Sequence, residues 1–286
     1  MLKTENLYWT TISLQEKMTT INSYEELLNC LLKDVNVAVK AGLTQRSDLL
    51  KVQLKINELK VNKLKLKNGI NLSMRALCQH IGITYDSTFL LNRTMEEPIL
   101  PSGVLKNTSG HERLEVQMLN KAVEAEELQR KLAFGEALPQ ISIGAVGRAT
   151  DAMDATSTNA LAFVTVSVPI SDWWGTSHKV REAKIKKAQA QTKLEEATEL
   201  LALQVEQAKN EVNETYFQIG IAQRSIEQAK ENLKVVNDNY KEGVVSMSDL
   251  LEAQALYQDA LNQHTDALCN YNIKIANYLQ ATGNYK

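Results

Sequence analysis

Residues that break helices are few in this chain. Its 286 residues include four prolines and twelve glycines, and aromatic side chains make up only 6% of the total. Long tracts are filled instead by Ala, Leu, Lys, Glu and Gln, a composition typical of extended helices and coiled coils. We therefore expect helix to dominate the fold.

Cysteine and histidine are also scarce. Cys30, Cys78 and Cys269 are odd in number and form no CxxC pair, which argues against a disulfide framework or a zinc site and favours isolated buried thiols. The four histidines have no metal-ligand spacing. No nucleophile elbow, phosphate-binding glycine loop or pair of catalytic carboxylates occurs. The sequence therefore predicts no cofactor, no metal and no enzymatic activity.

The chain lacks both a basic field and a long apolar run. A net charge of −2 and a pI near 6.2 argue against a nucleic acid partner. No apolar run reaches the roughly 18 residues of a spanning helix. The segment from Met1 to Glu5 lacks the charged-then-apolar layout of a secretory signal. Taken alone, these absences describe a soluble cytoplasmic protein, whereas the patterns that are present point elsewhere.

Two segments of the chain align without a gap at an offset of 201 residues, residues 42–82 with residues 243–283. Each segment predicts a tight turn after an incoming helix and then a returning helix that ends at glycine, which tolerates the left-handed conformation that closes helices. Nine aligned pairs are identical. They are Gly42, Ser47, Asp48, Leu49, Leu50, Gln53, Asn71, Gln79 and Gly82 with Gly243, Ser248, Asp249, Leu250, Leu251, Gln254, Asn272, Gln280 and Gly283.

A heptad pattern extends the repeat into the incoming helices. Apolar positions recur in alternating steps of four and three from Leu201 to Tyr240, and eight of the ten equivalent positions from Leu7 to Val39 are apolar. The second incoming helix is predicted from about Ser171 to Tyr240, roughly 70 residues, so it is about 105 Å long at 1.5 Å per residue. A helix of that length must lie beside similar helices in a bundle, a coiled coil or a helical barrel.

Residues 139–170 change from helical to strand periodicity. Apolar and polar or small side chains alternate in residues 141–146 and 162–168, and the residues between them, 148–159, are polar and turn-like. A single hairpin with open edges is marginal in water, so it needs strands from other copies. Strands of about ten residues with one apolar face match the length that crosses a bilayer within a closed barrel.

Two helical hairpins separated by a strand hairpin resemble the TolC family of trimeric outer-membrane factors. The motifs lie in residues 138–143 (Leu-Pro-Gln-Ile-Ser-Ile), 166–172 (Val-Ser-Val-Pro-Ile-Ser-Asp), 240–254 around the second turn and 41–44 at the first. Each motif is weak alone, but the motifs together, in this order and spacing, are fairly specific. The resemblance covers nearly the whole chain. The resemblance implies a mainly α fold of long antiparallel helical hairpins, of the coiled-coil or α-barrel type, with one β-hairpin contributing to a trimeric membrane β-barrel.

The resemblance also implies a function. The chain is expected to be the outer-membrane channel of a tripartite efflux or secretion system, a passive export duct across the periplasm and the outer membrane. Its expected partners are two further copies in a homotrimer, outer-membrane lipid, a periplasmic adaptor at the helix tips, and an inner-membrane pump of RND or ABC type. We expect it in the outer membrane with a periplasmic extension, its signal peptide lost by truncation.

The same resemblance assigns adaptor contacts to the two helix tips. Val245 departs from the polar residue that some members carry at its position, which argues against a hydrogen bond there. The six residues of the two tips are Gly42, Leu43 and Thr44 with Gly243, Val244 and Val245.

Acidic residues follow the second turn. Asp249 and Glu252 are three residues apart and share one helix face, so that in a trimer they would form rings of carboxylates at the periplasmic aperture, with Tyr240 as a packing or hydrogen-bonding gate residue. Asp249 also suits the capping of a helix N-terminus, and the two roles are compatible. The first repeat has Asp48 but only Lys51 at the later position, so the acidic ring is expected to differ between the repeats.

Trp173 and Trp174 directly follow the second predicted strand. By resemblance they anchor the barrel at the membrane–water boundary, as aromatic residues do at such interfaces. Packing at the strand-to-helix corner is an equal alternative.

The repeat divides the chain into three parts. Residues 1–82 form the remnant of the first repeat with its tip at 41–46, and residues 83–109 form an equatorial-type linker. Residues 110–283 form the second repeat, with the strand hairpin at 139–170, the long helix at 171–241, the tip at 242–247 and the return helix at 247–283.

The first repeat has no counterpart of the strand hairpin, because that counterpart would precede Met1. About 90 to 120 residues, including any signal peptide, are therefore expected to be missing. Two strands from each copy would give six strands in a trimer. Since about eight strands already fill with side chains, a closed barrel of six would leave no conducting lumen. The chain as given is therefore expected to form a working duct only if the missing strands are supplied.

Three other interpretations stay open. A soluble coiled-coil scaffold explains the heptads but not the alternating strands. A non-functional truncated fragment of the duct explains both. A non-transporting adaptor would need a compact β-rich module, which the sequence does not contain.

Overall fold

The computed structural model describes residues 2–86, 89, 91, 98–105, 113–152, 155–168, 170 and 173–284, without the side chains of 149–152, 155–157 and 173–174. Six helices and two strands occur in this part of the chain. They are α1 (Leu2–Lys40), α2 (Arg46–Ile81), α3 (Pro101–Val104), α4 (Leu114–Gly135), β1 (Gln140–Ala152), β2 (Ala155–Ser167), α5 (Trp173–Lys241) and α6 (Met247–Ala281).

Four glycines with positive φ mark the repeat in the backbone. Gly42 and Gly243 have φ values of 74° and 76°, and Gly82 and Gly283 have values of 78° and 73°. Each pair is separated by 201 residues, as in the sequence repeat. The left-handed conformation costs glycine little because it has no Cβ. Both repeats therefore end their helices with the same local structure.

The described residues form two compact units. Unit 1 contains residues 1–109 and 204–286, and unit 2 contains residues 110–203. This division differs from the repeat, because helix α5 contributes residues to both units. The two helical hairpins, α1–α2 and the α5–α6 region, lie together in unit 1.

Two apolar clusters hold unit 1 together. The first joins α1, α2 and α6 through side chains such as Leu28, Val52 and Leu250, each no more than 1% exposed. The second joins α5 and α6 around Val212 and Tyr271, both fully buried. Burying side chains of this size contributes about 1.5–3 kcal/mol each. Most of the stability of unit 1 therefore comes from the seams between its helices.

Polar contacts set the register of these helices. Lys274 of α6 lies 2.9 Å from Glu211 of α5, and Lys63 of α2 pairs with Glu25 of α1. Lys17 of α1 lies 2.6 Å from the Asp266 carboxylate of α6. In each case one helix runs opposite to the other.

The segment before α4 also packs in unit 1. The buried hydroxyl of Tyr271 donates a hydrogen bond to the backbone carbonyl of Ile99. Val104 and Leu105 pack against the second apolar cluster. This part of the linker is therefore held against helices α5 and α6.

Unit 2 places α4 antiparallel to the first part of α5. Glu127 of α4 pairs with Lys187 of α5 at 3.1 Å, and Glu136 pairs with Lys179 at 3.1 Å. Val116 of α4 is 6% exposed. Exposed ion pairs stabilise little, typically below about 1 kcal/mol, so their main effect is on register.

The two strands of unit 2 form one antiparallel hairpin. Its register pairs Ile141 with Val166 and Ile143 with Val164, and the alternation of strands places all four side chains on one face. These four side chains are between 61% and 82% exposed. The hairpin therefore presents an apolar face that no other described residue covers.

The predicted mainly α fold with one β-hairpin is confirmed. The prediction that residues 148–159 form a turn is wrong, because Arg148 pairs with Asn159 and the strands continue to Ala152 and Ala155. Each strand has 13 residues instead of about ten. Threonine recurs in this segment, and its β-branched side chain suits a strand although it is polar.

The three cysteines differ in exposure. Cys78 and Cys269 are buried as expected, but Cys30 of α1 is exposed. Within the described ranges, none of the helices combines the length and the apolar character needed to cross a bilayer.

Candidate functional site

The two turns between paired helices have the same backbone hydrogen bonds. At the first turn the amide of Leu43 donates to the carbonyl of Ala38 at 2.9 Å, and at the second the amide of Val244 donates to the carbonyl of Asn239 at 2.9 Å. The glycine before each donor has positive φ. This is the hydrogen-bonding pattern of a Schellman motif. The two tips are therefore equivalent in backbone structure.

Both tips present an apolar side chain to solvent. Leu43 is 81% exposed and Val244 is 70% exposed, and the two occupy equivalent positions in the repeat. Gly42 and Gly243 are exposed beside them. Exposed apolar side chains at the end of a helical hairpin suit contact with another protein surface.

The first tip carries a compensated acid. The hydroxyl of Thr44 donates to Asp48 at 3.0 Å, and the Lys51 ammonium group lies 3.2 Å from the other carboxylate oxygen. The side chain of Asp48 is 19% exposed. The negative charge expected at this tip is therefore neutralised within the same helix.

The second tip lacks an equivalent of the Thr44 hydroxyl, because Val245 occupies that position. Helix α6 begins with a capping box instead: the backbone amide of Ser246 donates to Asp249 at 2.8 Å, and the amide of Asp249 donates to the Ser246 hydroxyl at 3.3 Å. Hydrogen bonds from Ser246 lower the pKa of Asp249, and the nearby charge of Lys51 lowers it further. Asp249 is therefore an exposed, fully ionised carboxylate at pH 7.

The other two aperture residues differ in environment. Glu252 is exposed on α6, one turn after the capping box. Tyr240 is half-buried and packs against the cluster that contains Met247 and Leu250. Burial raises the pKa of Tyr240, and the negative charge of Asp48 raises it further. Tyr240 therefore packs beneath the tips as a neutral phenol.

Lys51 is the residue whose role sequence reasoning underestimated. In the repeat Lys51 is the counterpart of the acidic Glu252, yet it pairs with Asp48 and lies close enough to Asp249 to lower the pKa of that carboxylate. A basic residue three positions after an acid on a helix was the available signal. The two tips therefore share one electrostatic neighbourhood.

The strand hairpin is a second candidate surface. Beside its apolar face, the opposite face carries Ser142 paired with Thr165 and Gly144 paired with Phe163. A side-chain carbon at Gly144 would collide with the Phe163 ring, so the ring lies over the glycine backbone. Val146 and Leu161 also lie on this face and are exposed, so it mixes polar and apolar side chains.

Trp173 and Trp174 are the first two residues of α5. Their side chains lie outside the described residues, so their predicted membrane-boundary role stays a prediction. In the residues that the structure does describe, no group of three or more His, Cys, Asp or Glu side chains is placed to bind a metal ion.

Comparison with known proteins identifies the family. A family model described as outer membrane efflux protein matches residues 108–284, more than half of the chain. The chain belongs to the outer membrane efflux protein family. Members of this family are channel proteins. A comparison with curated protein sequences returns no match.

Solved structures of outer-membrane channels share the fold of this family member. The outer membrane protein VceC of Vibrio cholerae is 14% identical to this chain, with a TM-score of 0.81. The CmeC channel of Campylobacter jejuni is 16% identical, with a TM-score of 0.78. The MtrE channel of Neisseria gonorrhoeae is 15% identical, with a TM-score of 0.80. Each comparison covers 99% of this chain. The chain spans 69%, 62% and 65% of these three proteins, respectively.

Proposed function

We propose that this family member is the outer-membrane channel component of a tripartite efflux system, a passive duct for solutes and not an enzyme. The observation that carries the proposal is the family match across α4, the strand hairpin, α5 and α6. The apolar face of the hairpin and the two equivalent helix tips support it. In this proposal the strands lie in the outer membrane and the helical hairpins extend into the periplasm.

The apolar face of the strand hairpin favours membrane insertion, because transfer of its side chains from water to lipid lowers the free energy. Four large aliphatic side chains on one face are between 61% and 82% exposed. Full burial of such a side chain is worth about 1.5 kcal/mol or more, so lipid contact would stabilise the hairpin of each copy by about 4 kcal/mol. Unpaired strand edges are costly in lipid, so the strands need neighbours in a closed barrel. We propose that copies of the chain assemble as a homotrimer to supply them.

The helix tips support contact with a periplasmic adaptor. Leu43 and Val244 lie at the two turns and are 81% and 70% exposed, and the same backbone hydrogen bonds hold both turns. The adaptor would in turn join the duct to an inner-membrane pump. Gly42, Thr44, Gly243 and Val245 complete the proposed contact surface.

The proposed periplasmic aperture follows from the second tip. Asp249 and Glu252 are exposed one turn apart on α6, and repetition of both in each copy would line the mouth with carboxylates. Such rings favour cations over anions. The first tip contributes little charge because Lys51 neutralises Asp48. Tyr240 supports the aperture from below by packing, which is a narrower role than a gate.

Site-specific labelling tests the membrane part of the proposal. In a Cys30→Ser background, Ile143→Cys on the apolar face and its neighbour Ser142→Cys on the opposite face are labelled with an environment-sensitive fluorophore. Cys78 and Cys269 are both buried, and burial raises the pKa of Cys269 to about 12, so neither remaining thiol competes for label. In liposomes containing brominated lipid, we expect strong quenching at position 143 and weak quenching at position 142. Equal quenching at both positions, or no association with liposomes, would contradict the proposal.

A further inference from the structure

A cleft in unit 1 has no part in the proposed channel function. Its lining residues come from three helices, α1, α5 and α6, and its volume is about 640 Å³. All of these residues belong to unit 1. Small-molecule sites are typically clefts of about 300–1,000 Å³ in which a few polar groups converge. The α1–α5–α6 cleft has both properties.

Trp9 provides a fixed aromatic surface in this cleft. Its indole N–H donates a hydrogen bond to Glu5 at 3.2 Å, and its ring packs edge-to-face against Tyr8 with the centroids 5.1 Å apart. The side chain is half-buried. Because two neighbours already hold the ring, little side-chain entropy is lost when a ligand packs on it.

A charge-balanced pair lies in the same cleft. The hydroxyl of Ser13 donates to Asp266 at 2.9 Å, and the Lys17 ammonium group lies 2.6 Å from the same carboxylate. Ser13 is 8% exposed, whereas the side chain of Asp266 is 53% exposed. The carboxylate is therefore held by two protein donors and can still accept hydrogen bonds from a ligand. Among the described residues that line the cleft only Lys17 and Asp266 are charged, so the lining is neutral as a whole.

Three primary amides complete the polar lining. They belong to Gln218 of α5 and to Gln263 and Asn270 of α6. A primary amide both donates and accepts hydrogen bonds without carrying a charge, so it pairs with hydroxyl or amide groups. Ile221 lines the cleft as well and is 55% exposed. The cleft therefore suits an uncharged ligand that has both an apolar face and many hydrogen-bonding groups.

The repeat shows that helix packing alone does not require these residues. The counterpart of Trp9 is Asn210, and the counterpart of Asp266 is Lys65. Both repeats nevertheless form paired helices with the same glycine turns. The aromatic ring and the acid are therefore features of this cleft and not of the duplicated fold.

We propose that the α1–α5–α6 cleft binds a neutral oligosaccharide. A sugar ring has an apolar face of C–H groups, which suits packing on Trp9, and hydroxyls around its edge, which suit Asp266, Lys17 and the three amides. An ion would find the two charges already paired, and a purely apolar ligand would leave the amides without hydrogen-bond partners. The site would attach the chain to a polysaccharide, a role separate from conduction and independent of how copies of the chain assemble.

Fluorescence of Trp9 tests the proposal directly. The full chain with Trp173→Phe and Trp174→Phe keeps Trp9 as its single tryptophan. It is studied in a polyoxyethylene detergent, which carries no sugar group. Maltotriose, which has hydroxyls only, and N,N′,N″-triacetylchitotriose, which adds amides, are titrated separately. At least one is expected to change the fluorescence with a Kd of about 1 mM. The tighter of the two distinguishes a glucan from an N-acetylated glycan as the source of the ligand.

Calorimetry on the otherwise wild-type chain measures the effect of single substitutions. Trp9→Ala and Asp266→Asn are each expected to weaken binding of the same sugar by about 10-fold, because each removes a direct contact. Phe217→Ala is the matched control and is expected to leave the Kd unchanged. Phe217 is an aromatic residue that is 72% exposed next to Gln218 but does not line this cleft. Circular dichroism shows that each variant keeps its helix content.

Three results would overturn this inference. They are no binding of either sugar, binding that Trp9→Ala and Asp266→Asn leave unchanged, and binding that Phe217→Ala weakens as much as Trp9→Ala does. None of them affects the proposed channel function, which the quenching experiment in liposomes tests separately.

Discussion

Replacement of Gly243 by alanine isolates the backbone conformation of a helix tip. Gly243 has φ of 76°, and no atom lies within 4 Å of the position that an alanine Cβ would take. The substitution therefore adds no steric clash. What changes is the conformational free energy of one residue.

The expected magnitude follows from two opposing effects. The left-handed conformation costs a residue with a Cβ about 1–2 kcal/mol. Alanine loses less chain entropy on folding than glycine does, which recovers about 0.5–1 kcal/mol. We therefore expect Gly243→Ala to lower the free energy of unfolding by about 1 kcal/mol. Gly42→Ala should have the same effect, because its φ is 74° and its surroundings are equally open.

Gly220→Ala is the matched control. Gly220 lies in the interior of α5, and its added Cβ would also meet nothing within 4 Å. There alanine is the better helix former, so the free energy of unfolding should rise by about 0.5–1 kcal/mol. Urea titrations followed by circular dichroism measure all three variants. If Gly243→Ala were neutral or stabilising while Gly220→Ala behaved as expected, the left-handed turn and the repeat-based account of the tips would be refuted.

Three further predictions concern the second tip and the core. Ser246→Ala removes the capping box and should lower the free energy of unfolding by about 1 kcal/mol. The pKa of Asp249 is lowered from 3.8 in the folded chain, so the ionised carboxylate stabilises the fold fully at pH values above 3.8. This stabilisation is lost as the pH falls through the folded pKa. Asp249→Asn should remove this part of the pH dependence of stability. Leu28→Ala, at a side chain with no exposed area, should cost about 2–5 kcal/mol, and Leu50→Ala, at one that is 49% exposed, much less.

Urea titrations at several pH values measure all of these variants. A Ser246→Ala variant as stable as the wild type would show that the capping box contributes nothing. An acid transition unchanged by Asp249→Asn would contradict the pKa assignment. Equal losses at positions 28 and 50 would contradict the cluster that joins α1, α2 and α6.

Local features of the fold could be predicted from the sequence because each depends on a few neighbouring residues. Gly42 and Gly243 mark turns since only glycine adopts positive φ at low cost. The alternation of residues 141–146 predicted a strand since side chains project to opposite faces in turn. The polar residues 148–159 misled the same reasoning, because cross-strand pairing and threonine extend the strands where polarity suggested a turn.

Contacts between distant helices could not be predicted in the same way. Ser13 and Asp266 are 253 residues apart, and their hydrogen bond depends on how α1 packs against α6. The heptad pattern showed which helix faces are apolar but not which helices meet. Lys51 was underestimated for a related reason, because its effect on Asp249 depends on how the two tips lie together.

Single-particle cryo-electron microscopy of the chain in neutral detergent tests the central claim most directly. The account predicts a closed ring of copies in which the strand hairpins of all copies join in one sheet. A monomer, or a two-fold dimer that leaves the hairpin edges unpaired, would contradict it.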